Sequence, residues 1–384
     1  MTEKKGSFPP LFEDLKTSTK TIMCYTNVQF NLRQVFASIE VTETIYPSSH
    51  TKKYKNIDKK TIRAPPGSII SMHYQKYLRG TNLRKMKKYP CPRCKCRNSK
   101  GKLIKTVEAN FVQKPVEGFD KPVSCLEWYC DKCSRSYEPQ TIGRKKIDNF
   151  LNQTTLILFL REDHYINIML FKNSLKIAGC KTNRDAITAV ATLWSRLPPD
   201  SWNLHLCVER PFFLFEVVMR NVGFNLGFGI NRTLLNLLMN ETQFSDKIAL
   251  SQFEPTGQTN VNIKMFTSKP KNFTYDCLVY PKEGLTKLSP ADASGVTEKK
   301  CNPSVCPCSL LLDTTSDSPY IIQVDKLFFK KAKDKPEKPM TFIVFSSSQT
   351  ILSGKYDSNV KEQYQFFIET LLKYKDRIVE RLEK

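Results

Sequence analysis

The sequence predicts an α+β chain in which one unit of strands and helices occurs twice, interrupted in its first copy by a cysteine-bearing insertion. Three observations carry this expectation. The hexapeptide Asn27-Val28-Gln29-Phe30-Asn31-Leu32 returns with one change as Asn221-Val222-Gly223-Phe224-Asn225-Leu226. Downstream, Ile168-Met169-Leu170-Phe171 followed by Leu175-Lys176-Ile177-Ala178-Gly179 has its counterpart in Phe342-Ile343-Val344-Phe345 followed by Thr350-Ile351-Leu352-Ser353-Gly354. Each copy then runs into an amphipathic helix. An internal period of this kind is the mark of duplication, and composition alone does not explain the same order twice.

The elements follow in chain order. Residues 1–21 are polar and form a flexible tail. A strand begins at Ile22 and leads into a short helix near Leu32–Ile39, with Val35, Phe36 and Ile39 on one side. The basic stretch 48–64 reads as a loop and Gly67–Tyr74 as a strand. After the insertion, Thr155–Leu160 is a strand, Arg161–His164 its turn with an exposed His164, and Tyr165–Phe171 and Leu175–Gly179 two further strands, since turn-forming residues bound each run. Asn183 then caps a helix whose apolar residues Ala186, Val190, Leu193 and Leu197 make one buried stripe. In the second copy Ser358 caps, and Val360, Tyr364, Phe367 and Leu371 repeat the stripe. Pro198-Pro199-Asp200 separates the copies. The first unit is therefore 22–77 with 151–197, the insertion 78–150, and the second unit 198–266 with 338–384. Residues 267–337 form an insertion loop in the second unit, ending in a Lys/Pro tract. Side by side, the units make one curved antiparallel sheet with helices on one face.

Sixty Lys and Arg against thirty-seven Asp and Glu give the 384-residue chain a formal charge of +23. Such an excess attracts polyanions, nucleic acid first and an acidic membrane surface second, and says nothing of fold. No apolar run is long enough to span a bilayer. The opening MTEKKGSFPPLFEDL has no apolar core of a secretory signal. The thirteen cysteines are accordingly expected in a reducing compartment, as thiols or metal ligands.

Within 78–150, Cys91-Pro92-Arg93-Cys94 and Cys130-Asp131-Lys132-Cys133 are two CxxC knuckles. Each offers two thiolates to one tetrahedral Zn²⁺, with candidate strands at Leu103–Val107 and Ser124–Trp128 between them. The arrangement predicts a zinc ribbon holding one structural zinc through Cys91, Cys94, Cys130 and Cys133, with no open position for catalysis. Cys96 and Cys125 lie close enough to compete as ligands. Cys301, Cys306 and Cys308 form a weaker cluster without an obvious fourth ligand. The chain shows no acid cluster, no Cys-His pairing and no phosphate-binding loop, so it is expected not to be an enzyme.

The layout resembles the TATA-box-binding protein family, a saddle of two repeats. Phe253-Glu254-Pro255 with Met265 resembles that family's Tyr-Glu-Pro strand and its following Met. Phe345-Ser346-Ser347-Ser348 through Gly354 resembles its paired strands, and Asn27-Val28 and Asn221-Val222 resemble its Asn-bearing repeat starts. Divergent members encoded by large nucleocytoplasmic DNA viruses are the most similar group. The resemblance implies a promoter DNA-binding transcription initiation factor. Its concave sheet would bind the minor groove of A·T-rich double-stranded DNA, where readout is degenerate and shape-dependent and apolar wedges open the groove. It also implies a monomer on DNA that recruits RNA polymerase and general transcription factors, at a cytoplasmic or nuclear site of viral transcription or packaged in the virion. The expected DNA-binding residues are Asn27, Val28, Phe171, Lys176, Asn221, Val222, Phe345, Ile351 and Ser353. The first wedge of each repeat is missing, its place falling on Thr154 and Gln258. The alternative reading is an interaction scaffold of a transcription complex, working through the ribbon and the convex face.

Overall fold

A computed structural model describes residues 9–42, 44, 63–81, 89–116, 119, 122–137, 152–161, 164–204, 210–257, 259–268, 270, 273–280, 319–324 and 338–380. The strands are β1 (Thr17–Thr26), β2 (Val28–Phe30), β3 (Ser68–Tyr74), β4 (Tyr77–Gly80), β5 (Tyr89–Pro90), β6 (Lys105–Lys114), β7 (Val123–Cys130), β8 (Arg135–Tyr137), β9 (Thr154–Arg161), β10 (His164–Leu170) and β11 (Ser174–Cys180). They continue as β12 (Trp202–Leu204), β13 (Phe212–Asn225), β14 (Ile248–Gln252), β15 (Asn260–Met265), β16 (Tyr275–Val279), β17 (Tyr320–Val324), β18 (Met340–Phe345) and β19 (Gln349–Gly354). The helices are α1 (Leu32–Ser38), α2 (Asn183–Trp194), α3 (Arg232–Met239), α4 (Asp357–Lys373) and α5 (Lys375–Ile378). All strands but β2 and β12 join one sheet, and every pairing in it is antiparallel.

The pairings run β1-β11-β10-β9-β3 in one half and β13-β19-β18-β15-β14 in the other. The same succession thus occurs twice, and β1 pairs with β13 where the halves meet. Asn31 and Asn231 cap α1 and α3 in the same way, each side chain accepting the amide three residues on. The interval from Asn31 to Asn231 also carries Lys20 onto Arg220, and these two residues pair with each other between Thr19↔Asn221 and Thr21↔Met219. A local pseudo-twofold therefore passes through Lys20 and Arg220.

This register corrects the hexapeptide alignment. In the first copy the cap Asn31 lies inside the motif, and Leu32 opens α1. In the second copy the motif lies within and just after β13, and the cap Asn231 comes only after Gly227, Phe228, Gly229 and Ile230. The duplication is real in topology, but the two hexapeptides occupy different places in it.

One face of the sheet carries the helices. Ile22, Cys24, Leu156, Leu158, Ile166, Ile168, Leu175 and Ile177 meet Ala186, Ala189, Val190 and Leu193 of α2 in the first core. Val222, Val261, Ile263, Met340, Phe342, Val344 and Leu352 meet Val360, Tyr364, Phe367 and Leu371 of α4 in the second, where Phe342 stacks on Phe367 at 4.1 Å between centroids. Between the cores, on the pseudo-twofold, Lys20 reaches Asn183 Oδ1 at 3.1 Å and Arg220 reaches Thr17 Oγ1 at 2.8 Å.

Several expectations are corrected. The expectation of a tail over 1–21 is corrected for its later part, because β1 starts at Thr17 and Phe12 and Leu15 pack against the second core; residues 1–8 lie outside the described residues. Thr182, not Asn183, caps α2, in a reciprocal capping box with Asp185. Tyr356 precedes α4 without a side-chain capping bond. His164 is buried in β10, with Nε2 donating to Gly179 O at 2.9 Å. The insertion loop of the second unit contains β16 and β17, which extend the sheet from β13. Their alternating Tyr275, Cys277, Val279 and Val324 close a third apolar cluster with Phe212 and Leu214. The basic run 52–60, Cys301, Cys306 and Cys308 lie outside the described residues, as does all but the end of the Lys/Pro tract.

Candidate metal centre and nucleic-acid interface

The ribbon is built on β6 and β7, with β5 and β8 at its flanks. Cys91 follows β5 and Cys94 closes the first knuckle, where the Cys94 amide donates to Cys91 Sγ at 3.4 Å. Cys130 ends β7 and Cys133 closes the second. Lys95 and Ser134, one past each knuckle, take left-handed backbone with φ of 44° and 53°, which turns both chains back on themselves. The four Sγ atoms lie within 4.8 Å of one another. Cys91 to Cys133 is 3.8 Å and Cys94 to Cys130 is 4.0 Å. Tetrahedral Zn–S bonds of about 2.3 Å require sulfur–sulfur edges of about 3.8 Å, so the group fits one four-coordinate ion.

Outer groups complete the centre. Tyr137 Oη sits 3.2 Å from Cys91 Sγ and 3.1 Å from Cys133 Sγ, and Thr106 Oγ1 lies 3.3 Å from Cys130 Sγ. Burial pushes the Cys91 thiol up, but the Tyr137 hydroxyl and the Cys94 and Arg93 amides outweigh it and bring the pKa to about 6. Cys130 is likewise pushed up by burial and drawn below the ordinary thiol range by Thr106 and two knuckle amides. Cys94 moves the other way, first through its hydrogen bond to Cys133. A divalent cation held by the four sulfurs would displace their protons. Trp128 and Val107 wall the centre, and Tyr89 meets Trp128 edge-on at 5.3 Å. Cys125 belongs to the first core rather than to this group, and Cys96 is not among the four that could share an ion. The sequence reading missed Tyr137, although a tyrosine four residues past the last knuckle cysteine was there to be noticed.

The sheet face opposite the helices is the second site. Successive side chains of a strand point to opposite faces, so residues between core positions mark it. Lys176 and Ala178 lie there on β11, Asn167 and Met169 on β10, Thr341, Ile343 and Phe345 on β18, and Ile351 and Ser353 on β19. Asn221 joins them beside the pseudo-twofold and accepts a hydrogen bond from Ser353 Oγ at 2.7 Å. Phe171 and Phe345 occupy matching hairpins. The Phe171 amide donates to Ser174 O at 2.8 Å, and Ser348 N donates to Phe345 O at 3.1 Å. Both rings are half-buried.

Asn27, Val28 and Val222 do not share this face, and the expectation for them is corrected. Val28 and Val222 are core residues. Asn27 is fully buried past the end of β1; its Nδ2 donates to Arg210 O at 2.8 Å and its Oδ1 accepts from the Phe212 amide at 3.0 Å. It anchors the start of β13, far along the strand from Asn221. Thr154, at a missing wedge, is also fully buried and donates to Leu32 O; Gln258 lies outside the described residues. Strand alternation would have found Asn167, Met169 and Ile343, which the motif comparison passed over.

Two parts of this face are closed. Ile70, Ile157 and Phe159 are buried there with Tyr165 and Ala64. Near β16, Glu216 is fully buried, with Tyr25 Oη donating to it at 2.9 Å and Lys355 Nζ at 2.8 Å. Burial raises the Tyr25 pKa, and the Glu216 charge raises it further.

No family model and no curated protein matches this chain. Among solved structures it is similar to the TBP of Methanococcus jannaschii, with a TM-score of 0.29 and 9% identity over 57% of this chain and 80% of that one. No helix among the described residues is long and apolar enough to cross a membrane.

Proposed function

We propose that the chain is a TATA-box-binding protein-like transcription initiation factor. It lays the helix-free face of its doubled sheet into the minor groove of A·T-rich promoter DNA and holds one structural zinc in its ribbon. The observation that carries this reading is the strand succession repeated about Lys20 and Arg220, with matching Phe171 and Phe345 hairpins on the helix-free face. A face of this kind offers apolar side chains (Met169, Ile343, Ile351), few charges, and the Asn221–Ser353 pair near its axis. It can press on a widened minor groove and donate to its A·T acceptors. The net positive charge supplies phosphate neutralisation and a steep salt dependence. Recruitment of RNA polymerase and general transcription factors, a viral setting, and the absence of catalysis belong to the same reading.

A second reading is favoured by the closed patches. Glu216 sealed by Tyr25 and Lys355, and the buried Phe159 cluster, shorten the surface left for DNA and fit a scaffold that binds proteins instead. Retardation and bending of A·T-rich duplex separate the two. Selective retardation with a measurable bend supports the first; no discrimination from G·C-rich duplex at physiological salt supports the second.

A further inference from the structure

We propose that the cationic finger of the ribbon, Arg97–Lys105, binds phosphates of the same duplex outside the stretch the sheet covers. This rests on the duplex reading of the sheet.

The first support is placement. β4 pairs with β3 on one side and with β7 on the other, through Tyr77↔Cys125 and Leu78↔Ser124. The ribbon therefore continues the sheet past β3, at the end of the first half's strand succession. Phe119 fixes it there, edge-on to Phe36 at 5.7 Å and to Tyr77 at 5.8 Å, with the Arg33 guanidinium 5.4 Å from its ring centroid. A duplex laid across the strands would pass over the closed patch of Ile70, Ile157 and Phe159 and leave the sheet on the side where the ribbon lies.

The second support is a preformed shape. Arg97 and Leu103 bridge, and the Ile104 amide donates to Cys96 O at 2.7 Å. Asn98 Oδ1 accepts the Lys100 and Lys102 amides at 3.1 and 2.9 Å, and Gly101 makes the turn at φ 74°. The loop is a hairpin held by the metal knuckle at its base, so little entropy is lost when it meets a ligand.

The third support is unspent charge. Arg93, Lys95, Arg97, Lys100, Lys102 and Lys105 are all exposed. Among the described residues none of them is in an ion pair, whereas Lys114, Lys361 and Arg377 are paired with Glu127, Glu13 and Glu241. The exposed acid of the knuckles, Asp131, is followed directly by Lys132. A loaded four-thiolate zinc adds a formal charge of about −2, too little to cancel the set. Charges of one sign on a rigid protrusion suit the evenly charged backbone of a duplex.

The test uses the full-length, zinc-loaded protein and two duplexes sharing one A·T-rich core, one of them extended by a helical turn, about 10 bp, on each side. Wild type should bind the longer duplex more tightly. Arg97→Ala with Lys100→Ala and Lys102→Ala should lose that gain. Its slope of log affinity against log salt on the longer duplex should be shallower by about 2–3, near one unit for each phosphate no longer neutralised, with binding to the core duplex and zinc content unchanged. Lys100→Glu with Lys102→Glu, at exposed side chains that hold no part of the finger together, is the second variant and should weaken the longer duplex further. Equal binding of wild type and variants to the longer duplex overturns the proposal while leaving the sheet reading intact, as does a wild type that gains nothing from the extension. A wild type that binds neither duplex overturns both. Tighter binding of polyglutamate than of the longer duplex, abolished in the variants, would assign the finger to an acidic protein and also overturn it.

Discussion

Tyr137 is placed to steady a metal held by the four cysteines, because its single hydroxyl reaches two of the sulfurs from opposite knuckles. Once these are thiolates the hydroxyl is the donor, and outer donors of this kind orient ligands and tune affinity. Tyr137→Phe should weaken zinc binding by about 10–100-fold in competition with a chromophoric chelator; an unchanged affinity would reduce Tyr137 to packing. Asp185 acts on stability instead. It accepts the Lys181 and Thr182 amides at 2.8 and 3.0 Å and faces Arg161 at 3.2 Å and His164 at 3.9 Å. Burial raises its pKa, but the two amides, helped by His164 and Arg161, bring it below the usual carboxylate value. Its contribution is therefore complete above the unfolded pKa of about 3.9 and fades as pH falls through the lower folded value. Asp185→Ala should cost about 1–2 kcal/mol at neutral pH, as removal of a capping box does, and the mutant and wild-type curves should converge in strong acid. A gap that stays constant with pH would refute the charge argument. The Thr182-Asn183-Arg184-Asp185 stretch carries the capping-box spacing, which the sequence reading passed over. The meeting of Asp185 with Arg161 and His164, in contrast, was invisible until α2 and the β9–β10 hairpin came together.

At the scale of elements, the ribbon is one sheet with the body and yet has a small core of its own, Cys91, Val107, Trp128 and Cys130. Val123 and Cys125, at the other end of β7, belong to the first core. Chelation should therefore abolish amide-exchange protection around Cys91–Val107 and Trp128–Tyr137 while leaving β1, β10, β11 and β13 protected. Loss of protection throughout the chain would mean that ribbon and body unfold as one. The two CxxC knuckles made the ribbon legible in the sequence, since their spacing expresses ligand chemistry directly. The hairpins and the stripes of α2 and α4 were legible for a similar reason, because side-chain period reports which face is buried. What could not be read was pairing at long range. The run Tyr275–Val279 looks like loop because nothing near it in sequence shows that β13 leaves part of one edge free for it. His164 looked like a turn residue until Asp185 and Gly179 came to it from later in the chain.

For the whole molecule, the doubled strand succession was foreseen, but the motif that announced it was not aligned with it. Asn31 and Asn231 are repeat mates by helix capping, whereas Asn27 and Asn221 share only a string of letters. That difference moved Asn27 from the expected DNA face to an anchor of β13 and left Asn221 beside the pseudo-twofold. Phe171 and Phe345 kept matching positions, so the proposed wedging rests on them. The most direct test is the affinity and bend angle of an A·T-rich duplex against a G·C-rich one at physiological salt, for wild type and for Phe171→Ala with Phe345→Ala. Wild type should prefer and bend the A·T-rich duplex, and the double variant should lose preference and bend while keeping the low-salt, non-specific binding that phosphate neutralisation supplies. Equal binding of both duplexes by wild type, or a preference and bend that survive in the double variant, would contradict it.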